Sequence, residues 1–228
     1  MSSNEKKMKY RVDIVNTCIA TGLPLTVRST AVQIFDRAIG KIIPKDEEMI
    51  NILYAIIILA AKCEEIHGDL NALIRKLPDS NKQKIFDYED DILQVLGYNL
   101  HFPSLYLRIY GILTILQEKG IIEVTNAHID LNVSIDGKSN EIYTFHNNKW
   151  IVPCINNLWL TSVQMMDKIL LHEKTGYKEI EMVYASLPFP CEAFTLLSFP
   201  FDAKNVTELR NACVKIPFSL YNPENISM

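Results

Sequence analysis

The segment Ile50-Asn51-Ile52-Leu53-Tyr54-Ala55-Ile56-Ile57-Ile58-Leu59-Ala60-Ala61-Lys62-Cys63-Glu64-Glu65-Ile66 decides the fold. Eleven apolar residues are interrupted only by Asn51, and then three charges arrive almost together. A helix that is apolar on every side belongs in the middle of a bundle. The run is shorter than the roughly 20 apolar residues a bilayer span needs, and its end is abruptly charged. A central helix therefore emerges at the surface and presents Lys62, Glu64 and Glu65 at its exit. Unpaired charges beside a core are costly, so something must meet them, either within the chain or on a partner.

Working outward, amphipathic helices surround this segment. Val12, Ile14, Val15, Cys18 and Ile19 form one face of a helix over 10–20, stopped by Gly22 and Pro24. Ala31, Ile34, Phe35, Ala38 and Ile39 form the stripe of a second helix over 26–41. Asp46 is the expected N-cap of the central helix, with Glu47 and Glu48 in its first turn, where the helix dipole favours anions. A short fourth helix is expected over 69–77, with Leu70, Leu73, Ile74 and Leu77 inward. A fifth follows over 81–96, with Ile85, Tyr88, Ile92, Leu93 and Leu96 on one face. Five helices joined by short loops make a compact α bundle.

Past Phe102-Pro103 a sixth helix is expected over 104–119, and then the texture changes. Alternating segments at 128–135 and 141–145 flank Asp136-Gly137, a hairpin signal, and Trp150-Ile151-Val152 reads as a third strand. Helical patterning resumes with Leu158, Leu160, Val163, Met166, Ile169 and Leu170. A further helix is expected over 177–187 and a last one over 209–214, with Pro188, Pro190 and Pro200 obscuring the pattern between them.

The bulk properties exclude several classes of function. The chain has 228 residues and a formal net charge of −4. That balance is a poor one for nonspecific nucleic-acid binding, which calls for a basic face. The first nine residues are polar and carry Lys6, Lys7 and Lys9; they read as a frayed terminus, not as a secretory signal. Five cysteines, none spaced as Cys-x-x-Cys, suggest reduced thiols in a nuclear or cytoplasmic protein, with Cys18 and Cys63 buried. In that setting Asn132, Asn205 and Asn225 match the glycosylation triplet by chance. No catalytic constellation is visible. The histidines His67, His101, His128, His146 and His172 are scattered, and His172 lacks the second histidine of a zinc-protease motif. No glycine-rich phosphate loop occurs. Trp150 and Trp159 read as packing anchors. No catalytic residue, metal or cofactor is expected, and neither a membrane nor a nucleic acid is an expected partner.

Residues 10–102 resemble the N-terminal cyclin box, a five-helix bundle. Arg11 stands at the family's arginine of the first helix, and Phe35-Asp36-Arg37 resembles its Ile/Leu-Asp-Arg. The stretch from Leu59 to Ile66 closely resembles Leu-Ala-Ser-Lys-Phe-Glu-Glu-Ile. The stretch from Glu89 to Leu100 resembles Glu-x-x-Ile-Leu-x-x-Leu-x-Phe-x-Leu. All four matches occur in order, on the expected helices. Met165-Met166-Asp167 and the segment 177–187 look like parts of the family's looser second box, with Glu181 and Met182 replacing small residues. The resemblance thus implies an all-α fold of two cyclin-like five-helix bundles. The first occupies 10–102. The second, divergent, occupies 103–220 and carries a β-hairpin-like insertion near 121–155.

The resemblance implies a function as well. A cyclin is a non-catalytic regulatory subunit that binds and activates a cyclin-dependent protein kinase. Arg11 and Asp36 would form a structural ion pair, of a kind that costs about 3–5 kcal/mol to break when buried. Lys62 and Glu89 would meet the kinase backbone, with Glu64, Glu65, Ile66 and Leu70 beside them, and Leu73 and Ile92 as further apolar candidates. By spacing alone, Lys62 and Glu89 read as an internal surface salt bridge worth about 0–1 kcal/mol; the resemblance makes kinase contact the expectation. Asp13 and Thr17 replace the apolar residue and the tryptophan of the substrate groove of cell-cycle cyclins. Gly22-Leu23-Pro24 resembles transcription-associated members. The competing reading is a transcription factor IIB-like protein bridging promoter DNA and polymerase. The acid-leaning charge and the Lys62-Cys63-Glu64-Glu65 exit weigh against it, as does the lack of a zinc-ribbon pattern near the N-terminus.

Overall fold

Asn51 explains how an almost wholly apolar helix is fastened. Its side-chain oxygen accepts the backbone N–H of Asn81 at 3.0 Å, and the Asn81 side chain in turn accepts the N–H of Lys84. The one polar residue of the run thus anchors the N-cap of a neighbouring helix. The computed structural model describes residues 3–42, 48–66, 68, 70–78, 81–125, 143–172 and 176–214, apart from the side chains of Ser3, Leu70 and Asn71. The chain divides into two compact units, one running through Ser104 and the other starting at Leu105.

The first unit contains α1 (Ser3–Ala20), α2 (Leu25–Ala38), α3 (Met49–Cys63), α4 (Leu70–Arg75) and α5 (Lys82–Val95). α3 is the central segment and packs against α1, α2 and α5. Ile52, Ala55, Ile56, Ile57, Ile58 and Ala60 are fully buried around its circumference, beside Ile14, Val27, Ile34, Phe35 and Ile85 of its neighbours. Tyr54 stays in this core because its hydroxyl donates to the carbonyl of Pro78 at 3.0 Å. α1 ends where Gly22, at φ 71°, lets Leu23 N–H reach the carbonyl of Cys18 and Gly22 N–H that of Ile19. This paired capping requires a left-handed residue, which glycine supplies without strain.

Three expectations change in this unit. The polar stretch before Tyr10 is not frayed, since α1 already begins at Ser3; Glu and Lys are good helix formers and extend a helix that packing has nucleated. Residues 46 and 47, the expected cap and first turn of α3, lie outside the described residues, and Glu48 is the N-cap. Cys63 is half-buried, unlike the fully buried Cys18. Burial pushes the Cys18 thiol up to about 12, against the opposing charge of Arg28.

The second unit contains α6 (Leu105–Glu118), β1 (Ile122–Val124), β2 (Thr144–His146), β3 (Lys149–Val152), α7 (Ile155–Leu171), α8 (Glu179–Ser186), α9 (Glu192–Thr195) and α10 (Ala203–Val214). Five helices and a three-stranded sheet thus follow the five helices of the first unit among the described residues. The sheet order is β1-β3-β2, with β1 parallel and β2 antiparallel to β3. Residues 126–142, including the expected turn at Asp136-Gly137, lie outside the described residues. The hairpin that is described turns at Asn147 and Asn148, at φ 50° and 61°. Two consecutive left-handed residues are what a tight two-residue hairpin turn demands, and asparagine tolerates them.

α8 and α10 are fastened by two charged residues. The fully buried carboxylate of Glu181 accepts the N–H groups of Lys178 and Asp202 at 2.9 and 3.0 Å and the Asn205 amide at 3.1 Å. It therefore caps the start of α8 and steadies the start of α10 at once, which is why a carboxylate occupies a position where a small residue was expected. Burial pushes its pKa up, but those donors and the charge of Lys178 outweigh it, and the net shift is downward. Arg210 of α10 reaches the other end of α8, donating through Nη2 to the carbonyls of Tyr184, Leu187 and Phe189 at 2.6–2.7 Å. Asp167 is also fully buried and accepts the hydroxyl of Tyr106, joining α7 to α6.

Candidate functional site

The exit of α3 and the outward face of α5 meet at one rim of the first unit. α3 terminates when Glu65 adopts φ 53°, so that its N–H bonds the Lys62 carbonyl and the Ile66 N–H bonds that of Ala61. This is the same paired cap that ends α1, built here on a glutamate in place of glycine. It stops the helix so that Lys62 sits in the last turn, where the helix dipole favours a cation.

Lys62 Nζ lies 2.5 Å from Glu89 Oε1 of α5. The lysine side chain is 39% exposed, whereas the glutamate side chain is only 11% exposed. The pair therefore has an open cationic partner and a nearly buried anionic one, and the lysine supplies the charge that permits Glu89 to sit against the core. The face of the Phe86 ring completes the rim. Lys62 Nζ stands 5.9 Å from its centroid and Lys82 Nζ stands 5.7 Å from it. Lys82, Phe86, Glu89 and Leu93 are spaced by four, three and four residues, one stripe of a helix. Cys63, next to Lys62, has its thiol pushed up by burial first and then by the carboxylates of Glu64 and Glu89.

The other expected site residues are distributed differently. Glu64 turns inward, where Oε1 accepts the hydroxyl of the buried Thr30 of α2 at 2.6 Å; it ties α3 to α2. Glu65 is exposed and Ile66 half-buried beside the pair. Leu70 opens α4, but its side chain lies outside the described residues. Leu73 is half-buried, and Ile92 is fully buried, so Ile92 is core and offers no surface to a partner. Arg11 Nε and Asp36 Oδ1 lie 2.8 Å apart, linking α1 to α2 away from solvent. Sequence reasoning missed Phe86 and Thr30. Phe86 had a legible signal, since it is a large apolar residue off the inward stripe of α5; Thr30, a small polar residue on a buried helix, had none. Tyr98 and Leu100, just after α5, are also exposed. Among the described residues no group of three or more His, Cys, Asp or Glu side chains could hold a metal ion, and no helix is long and apolar enough to cross a membrane.

Comparison by sequence finds no matching family model and no matching curated relative. Comparison by structure finds a viral cyclin from herpesvirus saimiri, at TM-score 0.69 and 14% identity, over 97% of this chain and 89% of that one. A chain of the yeast TFIIK (Kin28/Ccl1/Tfb3) complex aligns at TM-score 0.64 and 16% identity, over 92% of this chain and 84% of that one. A chain of the CAK complex from Chaetomium thermophilum, bound to ATP-gamma-S, aligns at TM-score 0.61 and 12% identity, over 97% of this chain and 67% of that one. With α1 to α5 in one unit, α6 to α10 in the other, and such likeness across nearly the whole chain, the fold is that of a cyclin.

Proposed function

We propose that the chain is a non-catalytic subunit that binds and activates a cyclin-dependent protein kinase, with residues 10–102 as the docking box and 103–220 as a divergent second box. The observation that carries this reading is the Lys62–Glu89 pair, brought from two helices to one rim. A lysine offers three N–H donors and a carboxylate several acceptor sites, so the pair can satisfy both a C=O and an N–H of a docking backbone while remaining neutral overall. Phe86 is exposed beside it, and Ile66 and Leu93, close along α3's exit and on the Glu89 stripe of α5, are half-exposed, which supplies apolar area for a lasting interface. Interfaces of signalling assemblies often bury more than about 2,000 Å² in total, so the rim would be the centre of a larger patch. Docking there moves the kinase helix C inward, completes its Lys–Glu ion pair and frees the catalytic cleft. The Asp13 and Thr17 substitutions, which remove the groove of cell-cycle cyclins, favour a transcription-associated partner.

Affinity capture from the native host, read by mass spectrometry, tests the proposal. A kinase catalytic subunit is the expected catch. The double substitution Lys62→Ala, Glu89→Ala abolishes its recovery while circular dichroism remains that of a folded helical protein. Recovery of polymerase subunits without a kinase, or unchanged kinase recovery by the double variant, overturns it.

A further inference from the structure

The two lysines of this rim are paired unequally. Glu89 neutralises Lys62, but Lys82 makes no ion pair among the described residues, its interaction being with the Phe86 ring. The carboxylates nearest along the helix are turned elsewhere, Asp87 accepting the Gln83 amide at 2.9 Å and Asp90 that of Gln94 at 3.0 Å. Two ammonium groups thus stand 5.9 and 5.7 Å from the centre of one ring that is itself 36% exposed. Each such contact is weak at an exposed site, and two like charges so placed oppose one another. The arrangement is improved by a carboxylate arriving from outside. The ring that such an arrival leaves beside it is flat and apolar and takes an aliphatic side chain.

We propose, resting on the kinase-binding function above, that the bound kinase sets an Asp or Glu side chain on Lys82 and an aliphatic neighbour against Phe86, so that these two residues select the partner while Lys62 and Glu89 hold its backbone. Backbone contacts accept any sequence, whereas a cation beside an aromatic face distinguishes an acidic–aliphatic segment from a basic one by repulsion as well as attraction. The lysine is at the open edge of the rim, so its contribution is carried in the association rate and is screened by salt.

The test places a photo-reactive benzoylphenylalanine in the full-length chain in place of Phe86, and separately in place of Tyr98, with irradiation in native-host extract and mapping of the crosslinked peptides. Position 86 is expected to crosslink a kinase catalytic-domain peptide that carries an Asp or Glu beside the attachment point. With that kinase purified, Lys82→Glu lowers affinity about tenfold and Lys82→Arg leaves it unchanged. If position 98 reaches the kinase but position 86 crosslinks nothing, a second copy of this chain, or a kinase segment without an acid, the inference falls and the broader reading stands. Equal affinity of Lys82→Glu and the natural chain overturns it as well. If neither position reaches a kinase, both fall together.

Discussion

Replacing Arg210 by methionine keeps the length and much of the apolar stem of the side chain but removes a guanidinium that several carbonyls share. Nη2 donates to Tyr184, Leu187 and Phe189 at 2.6–2.7 Å, and Nε donates to Ala185 at 3.3 Å. Tyr184 and Ala185 belong to the last turn of α8, whose carbonyls have no partners within the helix, so the arginine is its C-terminal cap and complements its dipole. Hydrogen bonds to a charged group are worth about 1.5–3 kcal/mol each, but these share one donor and cannot be summed. Part of the loss is regained when water reaches the freed carbonyls. Burial of the guanidinium also lowers its pKa, so some of its solvation is already forfeited in the fold. A net cost of about 3 kcal/mol results, a large share of the 5–15 kcal/mol that holds a domain folded. Both tryptophans, Trp150 and Trp159, belong to the second unit, so tryptophan fluorescence in a urea titration follows that unit selectively. With a urea slope of about 2 kcal/mol per molar, the midpoint falls by roughly 1.5 M for Arg210→Met. Arg210→Lys recovers only part of this, because an ammonium cannot span the fork. A midpoint shift below about 0.5 M for Arg210→Met would refute the assignment of this arginine as the clamp of α8.

Two further outcomes rest on the geometry. Glu181 has a folded pKa below its ordinary 4.5, so its contribution is complete above about pH 4.5 and is lost as pH falls through the lowered folded value. Urea titrations from pH 6 down to pH 3 should show the second unit weakening in that window and Glu181→Gln reducing the dependence; an unchanged slope in the variant contradicts the linkage. Glu65 holds a left-handed conformation, which costs an L-residue roughly 1–2 kcal/mol, partly offset by the greater freedom glycine has when unfolded. Glu65→Gly therefore stabilises the first unit by about 0.5–1 kcal/mol, raising the thermal midpoint read by circular dichroism, and a lower midpoint would show that the carboxylate makes a contact the cap geometry does not require.

The helices of the first unit were legible because each carries its own period. The apolar run from Ile52 to Ala61, the stripe of α2 and the inward residues Ile85 and Ile92 of α5 each state which face is buried. Helix ends were less legible, since they depend on caps. α10 begins at Ala203, six residues before the expected start, because Asp202 accepts the Lys204 N–H and opens a turn whose first residues are polar. Spacing alone already read Lys62 and Glu89 as an internal surface salt bridge, and the resemblance added the kinase contact; neither signalled that Glu89 would be nearly buried. The inward turn of Glu64 onto Thr30 was illegible for a related reason. Two charges in a row at a helix exit look alike in sequence, and only the backbone reversal at Glu65 separates the one that folds back from the one left outside.

That the acidic member of the rim pair is almost hidden while its cation is open has an evolutionary cost. Losing Lys62 alone strands a nearly buried carboxylate, and losing Glu89 alone strips an ammonium of its counterion, so each single loss weakens the fold. Exchanging both for apolar residues at once avoids either penalty. The pair and the folded state are thus inherited together, and losing its members one at a time passes through a less stable intermediate.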